Sequence, residues 1–300
     1  MISGVDVSFW QQKVDWKKMR ERGVQFAIIR AGQGKDKDSR FDENWKGAAD
    51  NGIKRGAYWF YEWRSSRDPG AKYQANFLTD ILRGDNGELG VAGDFERPNS
   101  SWPIFPSSEI CNNLLWNFYE TLRNNAVKSD IFYSNLEGLN KIKPQPWLKQ
   151  KQLWLAWYPT KFNAAKLRWD HETWLAYHLK TGIIPVLPNT NFGKAPLFWQ
   201  FTYFLDGIGY GVQSKELDGN YMFGDNSEDN EEVKIILVTQ GKQNLRPAPD
   251  TSSTSIRMMQ AGETMAVDDI ITDARGVWVY DKTKGYAAVY YDGKRYMARG

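Results

Sequence analysis

Leu89-Gly90-Val91-Ala92-Gly93-Asp94-Phe95-Glu96-Arg97-Pro98 reads as a short buried strand that ends in two carboxylates. Small and apolar residues come first, and Pro98, with no backbone N–H, stops the pairing. In a strand, residues two apart share a face. Asp94 and Glu96 therefore stand side by side, with Phe95 turned to the opposite face. Each carboxylate disfavours ionisation of the other, a cost that a purely structural strand has little reason to accept. Glycoside hydrolysis is one common use of such a pair. Taken alone, D-x-E is also the composition of an acidic surface turn, so the rhythm on either side decides the reading.

Upstream, Gly4-Val5-Asp6-Val7-Ser8 reads as a first strand and Asp15 to Arg22 as a helix stopped by Gly23. Phe26-Ala27-Ile28-Ile29-Arg30-Ala31 is a continuous apolar run, the pattern of a strand buried on both faces. Phe41 to Asp50 reads as a helix closed by Asn51-Gly52, and Arg55 to Tyr61 as the third strand. Ala71 to Leu82 is helical behind Pro69, and the Asp94 strand is the fourth. Ser107 to Asn124 is a long helix and Asp130 to Ser134 a fifth strand. Five alternations argue an α/β chain with a parallel sheet. Leu153 to Tyr158, Leu197 to Thr202 and Leu217 to Met222 then read as strands, and Gly207 to Gly211 as a hairpin-like glycine loop. Five βα units followed by three strands fit a modified barrel. Catalytic groups of such barrels collect at the C-terminal ends of strands. Asp6, Asp94, Glu96 and Asp218 come from the first, fourth and last strands, and the first and last become neighbours on closure.

Composition is compatible with that picture. The 300 residues carry 41% hydrophobic and 25% charged residues, as a soluble globular chain does. A net charge of +3 is too weak to argue nucleic acid, and no apolar run reaches membrane-spanning length. The 14 Trp, 15 Tyr and 15 Phe lean towards carbohydrate, whose apolar ring faces stack on aromatics. Cys111, alone and in an apolar helical run, reads as a core thiol. His171 and His178 lie seven apart and form no zinc motif, so neither a metal nor another cofactor is expected. Met1-Ile2-Ser3-Gly4 leads straight into a strand, with no signal peptide expected.

Residues 225–232 are polar and acidic and read as a linker between a barrel over 1–224 and a small all-β domain over 233–300. In that last part Val233 to Val238, Thr264 to Val267, Val277 to Tyr280 and Ala287 to Tyr291 read as strands, with Asp292-Gly293 a hairpin turn.

The motifs resemble a family. Gly4-Val5-Asp6-Val7-Ser8 with Gln11 or Gln12, Gly56-Ala57-Tyr58, Asp94-Phe95-Glu96, Tyr133, Trp199-Gln200-Phe201-Thr202 and Asp218 are similar, in order and spacing, to glycoside hydrolase family 25, the Chalaropsis-type lysozymes or N-acetylmuramidases. The resemblance covers about residues 3–224. It implies cleavage of the β-1,4 bond between N-acetylmuramic acid and N-acetylglucosamine, with bacterial peptidoglycan as partner. It implies Glu96 as general acid and Asp94 as the partner that orients the substrate's own N-acetyl group. Asp6 and Asp218 match flanking carboxylates. Tyr58, Tyr133, Trp157 and Gln200 match wall positions. Trp59 departs from the family, which commonly has His there, and could offer a sugar platform. Gln243-Asn244-Leu245-Arg246-Pro247 to Ser253 resembles the opening of bacterial SH3-like domains, which implies a wall-binding module. The role that follows is a phage-type endolysin, in the host cytoplasm until release to the wall, or a virion-associated lysin. Two other readings stay open: a non-catalytic wall-binding protein on a degenerate barrel, and a glycosidase of another amino sugar such as chitin.

Overall fold

Eight strands close on themselves to form the frame of the N-terminal part. They are β1 (Ile2–Val7), β2 (Phe26–Gln33) with its short hairpin partner β3 (Asp36–Lys37), β4 (Lys54–Phe60), β5 (Gly90–Asp94), β6 (Ile131–Asn135), β7 (Gln152–Ala156), β8 (Phe198–Thr202) and β9 (Asp218–Met222). The order runs β1-β9-β8-β7-β6-β5-β4-β2, and pairing of β1 with β2 completes the ring. The computed structural model describes residues 1–64, 68–97, 99–158, 169–180, 188, 190–223, 236–266, 269–272, 276–291 and 294–299. Contacts divide the chain into two units, Met1–Arg168 with Pro188–Asn226, and Trp169–Leu187 with Ser227–Gly300. Pro98, the linker over 225–232 and the Asp292-Gly293 turn lie outside the described residues.

Helices follow the first five barrel strands: α1 (Trp16–Glu21), α2 (Phe41–Asp50), α3 (Ala71–Leu82), α4 (Ser108–Asn124) and α5 (Leu136–Ile142). The expected five βα units followed by three strands are present. Three of these helices, α1, α4 and α5, start on a side-chain cap. Asp15 accepts the Lys18 N–H, Ser107 the Ile110 N–H and Asn135 the Gly138 N–H. On α3, Ala71, Ala75, Leu78 and Leu82 are buried at helical spacing. Each large apolar side chain so buried contributes about 1.5–3 kcal/mol. Two short helices complete the set, α6 (Pro146–Lys149) before β7 and, between β8 and β9, α8 (Gly207–Tyr210). The glycine-rich stretch read as a hairpin-like loop is thus a helical turn. Asp206 Oδ1 accepts the Gly209 N–H at 3.0 Å, and Gly211 leaves it at φ 94°. A four-residue helix has too few residues to show periodicity, so only its cap marks it.

The pleat sorts every strand into two faces. Phe26, Ile28, Ala92, Ile131, Trp154 and Phe198 fill the barrel interior as one cluster. Gly4 opposes Phe26 in register, and a Cβ at Gly4 would run into the Phe26 ring, so the closing pair of strands needs glycine there. The alternate residues turn outward. Among them is Gly93, whose N–H donates to Tyr119 Oη at 3.0 Å, while Tyr119 Oη donates to the Ile131 carbonyl at 2.7 Å. A Cβ at Gly93 would stand 2.5 Å from that oxygen. Gly93→Ala should therefore cost about 1–3 kcal/mol by overpacking α4 against β5, read as a lower urea midpoint at constant slope. An unchanged midpoint would refute the contact.

The second unit joins helix α7 (His171–Lys180) to nine antiparallel strands: β10 (Ile236–Thr239), β11 (Gln243–Leu245), β12 (Arg257–Met259), β13 (Thr264–Ala266), β14 (Asp269–Thr272), β15 (Gly276–Asp281), β16 (Gly285–Tyr291), β17 (Lys294–Arg295) and β18 (Met297–Arg299). The sheets run β13-β10-β18, β11-β12 and β14-β15-β16-β17. Ala176 from α7 shares the core with Leu237, Leu245, Met259, Val277 and Val289.

Candidate active site

The inward parity of the barrel strands builds one cavity of about 240 Å³ at the ends of β1, β2, β4, β5, β6, β7 and β8. Asp6, Asp94, Glu96 and Asp218 all line it. So do Tyr58, Tyr133 and Gln200, three of the expected wall residues. Asp218 arrives by a different route from the others. It opens β9 rather than closing it, and reaches the same mouth because β9 runs antiparallel to both neighbours, placing Asp218 opposite Asp6 in register.

Two expected contacts are corrected. Trp59 and Trp157 do not line the cavity. Trp59 is fully buried on the outer face, where its Nε1 donates to Gln74 Oε1 on α3 at 2.9 Å and its ring meets Phe77 edge-on. Tyr58 points in, so the residue after it must point out; Trp59 offers no platform to a sugar. The departure from the family at this position therefore touches no cavity wall. Trp157 likewise turns away, towards Trp199, whose Nε1 donates to the Trp157 carbonyl at 2.8 Å. Tyr158, one residue on, takes the inward place. Trp154, Phe60, Arg30 and Asn220 were also missed. The signal that finds all but Asn220 in the lining is parity with Tyr58, Ile28 and Ala156.

The Asp94–Glu96 segment is held by its own backbone and by the outward ring between the carboxylates. The Phe95 N–H donates to the Tyr133 carbonyl at 3.2 Å, Ser134 Oγ donates to the Phe95 carbonyl at 2.9 Å, and Trp63 Nε1 donates to the Glu96 carbonyl at 3.2 Å. The Phe95 ring lies among Tyr61, Trp63 and Phe105.

Beneath the carboxylates runs a fixed polar network. Gln200 Nε2 and Asn220 Nδ2 both donate to Asp6 Oδ2, at 2.8 and 2.7 Å. Gln200 Oε1 then accepts from Tyr133 Oη at 2.9 Å and from Tyr158 Oη. Asn220 Oδ1 accepts from Trp154 Nε1 at 2.8 Å. The Trp154 indole N–H, a donor only, fixes which way the Asn220 carboxamide lies.

Four carboxylates in so small a space resist full ionisation. Burial pushes Asp6 up to about 6, with the Asn220 and Gln200 hydrogen bonds holding it back. Burial and then the Asp6 charge push Glu96 up to about 7, opposed by Tyr133 and Asn135, whose side chains lie 3.5 and 3.3 Å from Oε2. Asp94 is raised well above the usual range by burial, then by Glu96 and Asp6, with Arg30 opposing. Burial, then Asp6 and Glu96, raise Asp218 in the same sense. Arg30 itself is tied to Asp38 at 2.7 Å. Asp94 lines the cavity, and its buried Oδ1 accepts no hydrogen bond. The arrangement can therefore hold a protonated carboxyl beside an unpartnered acceptor. That is equipment for general-acid chemistry.

Exposed rings stand at the rim. Trp10, 67% exposed, sits on a one-turn 3-10 helix (Phe9–Gln11) locked by Ser8, whose N–H donates to Gln11 Oε1 at 2.8 Å. Tyr158 and Tyr203 stand with ring centroids 5.2 Å apart.

The model of glycosyl hydrolases family 25 matches residues 5–185. Protein YegX of Escherichia coli O6:H1, itself uncharacterized, is 37% identical over 188 residues, covering 57% of this chain and 63% of that protein. The match thus spans less than two thirds of that relative's length. Lysozyme M1 of Streptomyces globisporus is 43% identical over 60 residues, 20% of each chain. Among solved structures, a family 25 glycosyl hydrolase from Bacillus anthracis superposes with a TM-score of 0.58 at 23% identity, covering 76% of this chain and 91% of that one. This last likeness speaks for the fold.

Proposed function

The chain belongs to glycosyl hydrolase family 25, and from that premise we propose that it is a peptidoglycan hydrolase, an N-acetylmuramidase. The observation that carries the reading is the cavity that gathers Asp6, Asp94, Glu96 and Asp218, with Glu96 held near 7. Glu96 gives its proton to the glycosidic oxygen as the C1–O bond breaks. The substrate's N-acetyl oxygen attacks C1 and forms a cyclic oxazolinium ion, while Asp94 accepts the acetamido N–H. Water, losing a proton to Glu96, then opens the ring with net retention, one of the known exceptions to the two-carboxylate scheme. Asp6 and Asp218 position the sugar. The second unit is read as an SH3-like wall-binding module, and the whole as a phage-type endolysin or virion-associated lysin. Two modules on one polymer gain avidity.

Digestion of purified peptidoglycan, with the new reducing ends tagged and identified by mass spectrometry, tests this. Muramic acid ends are expected. Glucosamine ends, or faster cleavage of chitin oligomers than of wall, would replace the reading with another amino-sugar specificity. A protein that pellets with walls and releases nothing is a binding module.

The pH profile follows from the acid. Glu96 must carry its proton to act, and the protonated fraction falls as pH rises through about 7. The rate should therefore decline on the alkaline side of that value, towards about tenfold per pH unit. A rate constant from pH 6 to 9 would exclude Glu96 as the acid.

A further inference from the structure

The second unit carries a cavity of about 200 Å³ of its own, lined by none of the carboxylates named above. Trp278, Tyr291 and Tyr296 wall it, and Gln243 lines it from β11. Trp278 and Tyr291 meet edge-on at 5.4 Å. Three polar atoms there have no hydrogen-bond partner although they are buried: Gln243 Oε1, Gln243 Nε2 and Trp278 Nε1. Gln243 as a whole is only 7% exposed. Buried polar groups in folded chains are nearly always paired, so a cluster of orphans beside one cavity asks for a ligand that completes it.

The chemistry of the orphans selects that ligand. A carboxamide offers one acceptor and one donor side by side, and the N–H and C=O of one residue in an extended peptide, which point the same way, offer the complement. A pair of hydrogen bonds closes between them whichever way round the Gln243 amide lies. A phosphate or a carboxylate would serve only the donor half, and an ammonium only the acceptor half. The indole N–H, a donor only, calls for a further carbonyl. Apolar ring walls suit small side chains flanking the amide. Lys242, exposed at the edge of the same cavity, adds a positive charge. We propose that this cavity binds a short peptide segment, with the backbone N–H and C=O of one residue on Gln243, a neighbouring carbonyl on Trp278 Nε1 and a free carboxylate towards Lys242. The proposal rests on the wall-binding part of the reading above: it names stem peptide, rather than glycan, as what the second unit grips.

The full chain carrying Glu96→Gln, which leaves walls undigested, is titrated with diacetyl-Lys-D-Ala-D-Ala, with the same peptide amidated at its C-terminus, and with chitotriose. Binding is followed by nitrogen–proton NMR, the Trp278 indole signal being assigned by its loss in Trp278→Phe. The carboxylate peptide is expected to move that signal saturably. Gln243→Met should weaken binding about tenfold by removing both hydrogen bonds. Lys242→Ala should weaken the carboxylate peptide and leave the amidated one unchanged. Should Gln243→Met fail to fold, Trp278→Phe, which keeps an aromatic ring and loses the donor, carries the same test, with binding followed on the Gln243 side-chain amide signals. Saturation by chitotriose and not by peptide would assign the cavity to glycan and overturn the proposal. Pelleting with walls alongside an unmoved Trp278 signal would overturn the cavity assignment while sparing wall binding. No pelleting together with a moved signal would overturn wall binding instead.

Discussion

Glu96→Gln should lower the rate of peptidoglycan cleavage by roughly 10²–10⁴-fold with little change in wall binding. The amide keeps the shape of the side chain and can still meet Asn135 and Tyr133, which lie within 3.5 Å of Oε2. What it loses is the proton. Burial and the Asp6 charge hold that proton on the carboxyl up to about pH 7. The loss should fall on kcat, because the proton moves only as the glycosidic bond breaks. A loss confined to KM would mean that Glu96 merely binds substrate. The residual rate should also lose its decline above pH 7, since the titrating acid is gone. Retention of that decline would assign the limb to another member of the cluster.

Asp94→Asn carries the second large effect. Asp94 is 4% exposed, its Oδ1 accepts nothing within the protein, and Glu96 stands two residues along the same face. In the proposed reaction that oxygen receives the acetamido N–H of the substrate as charge develops on the ring being formed. An amide in the same place lowers the acceptor's charge and can present a donor instead. Removal of one such preorganised electrostatic partner typically costs about 10²–10³ in kcat. Stability should move the other way. The Asp94 carboxyl is raised well above 3.8 in the folded state by burial and by Glu96 and Asp6. A carboxyl raised on folding contributes stability that is present at low pH and lost as pH climbs above the unfolded value. The variant escapes that loss, so its Tm should exceed wild type at pH 7 and converge with it towards pH 3. Lower activity with higher Tm marks a residue kept for chemistry. An activity within tenfold of wild type, or a lower Tm at pH 7, would refute the role.

Several features of the site were legible in the chain. The D-x-E spacing put Asp94 and Glu96 on one face because the strand period is two, and five alternations of strand and helix brought the first and last strands together. Asp6 and Asp218 followed from that closure. The same period, applied strictly, also sorts the pairs that were read together. Tyr58 and Trp59 are adjacent and cannot both face one cavity; nor can Trp157 and Tyr158. The glycines of 207–211 matched a hairpin because their composition suits any tight turn, and a single turn of helix repeats nothing along the sequence.

The sequence by itself determined which residues could share a face, since the pleat is a property of the local backbone and needs no partner. It also determined the barrel class, because buried apolar runs alternating with amphipathic helices have few ways to close. Only the tertiary structure decided which face was the inner one for each strand, that β9 runs antiparallel and so delivers Asp218 from its first residue, and that Asp94 keeps an unpartnered oxygen while Gln200 and Asn220 bind Asp6. Those outcomes depend on register between strands far apart in the chain and on how many neighbours exclude water from each carboxylate. Register and desolvation are properties of the packed assembly, and no local stretch of sequence carries them.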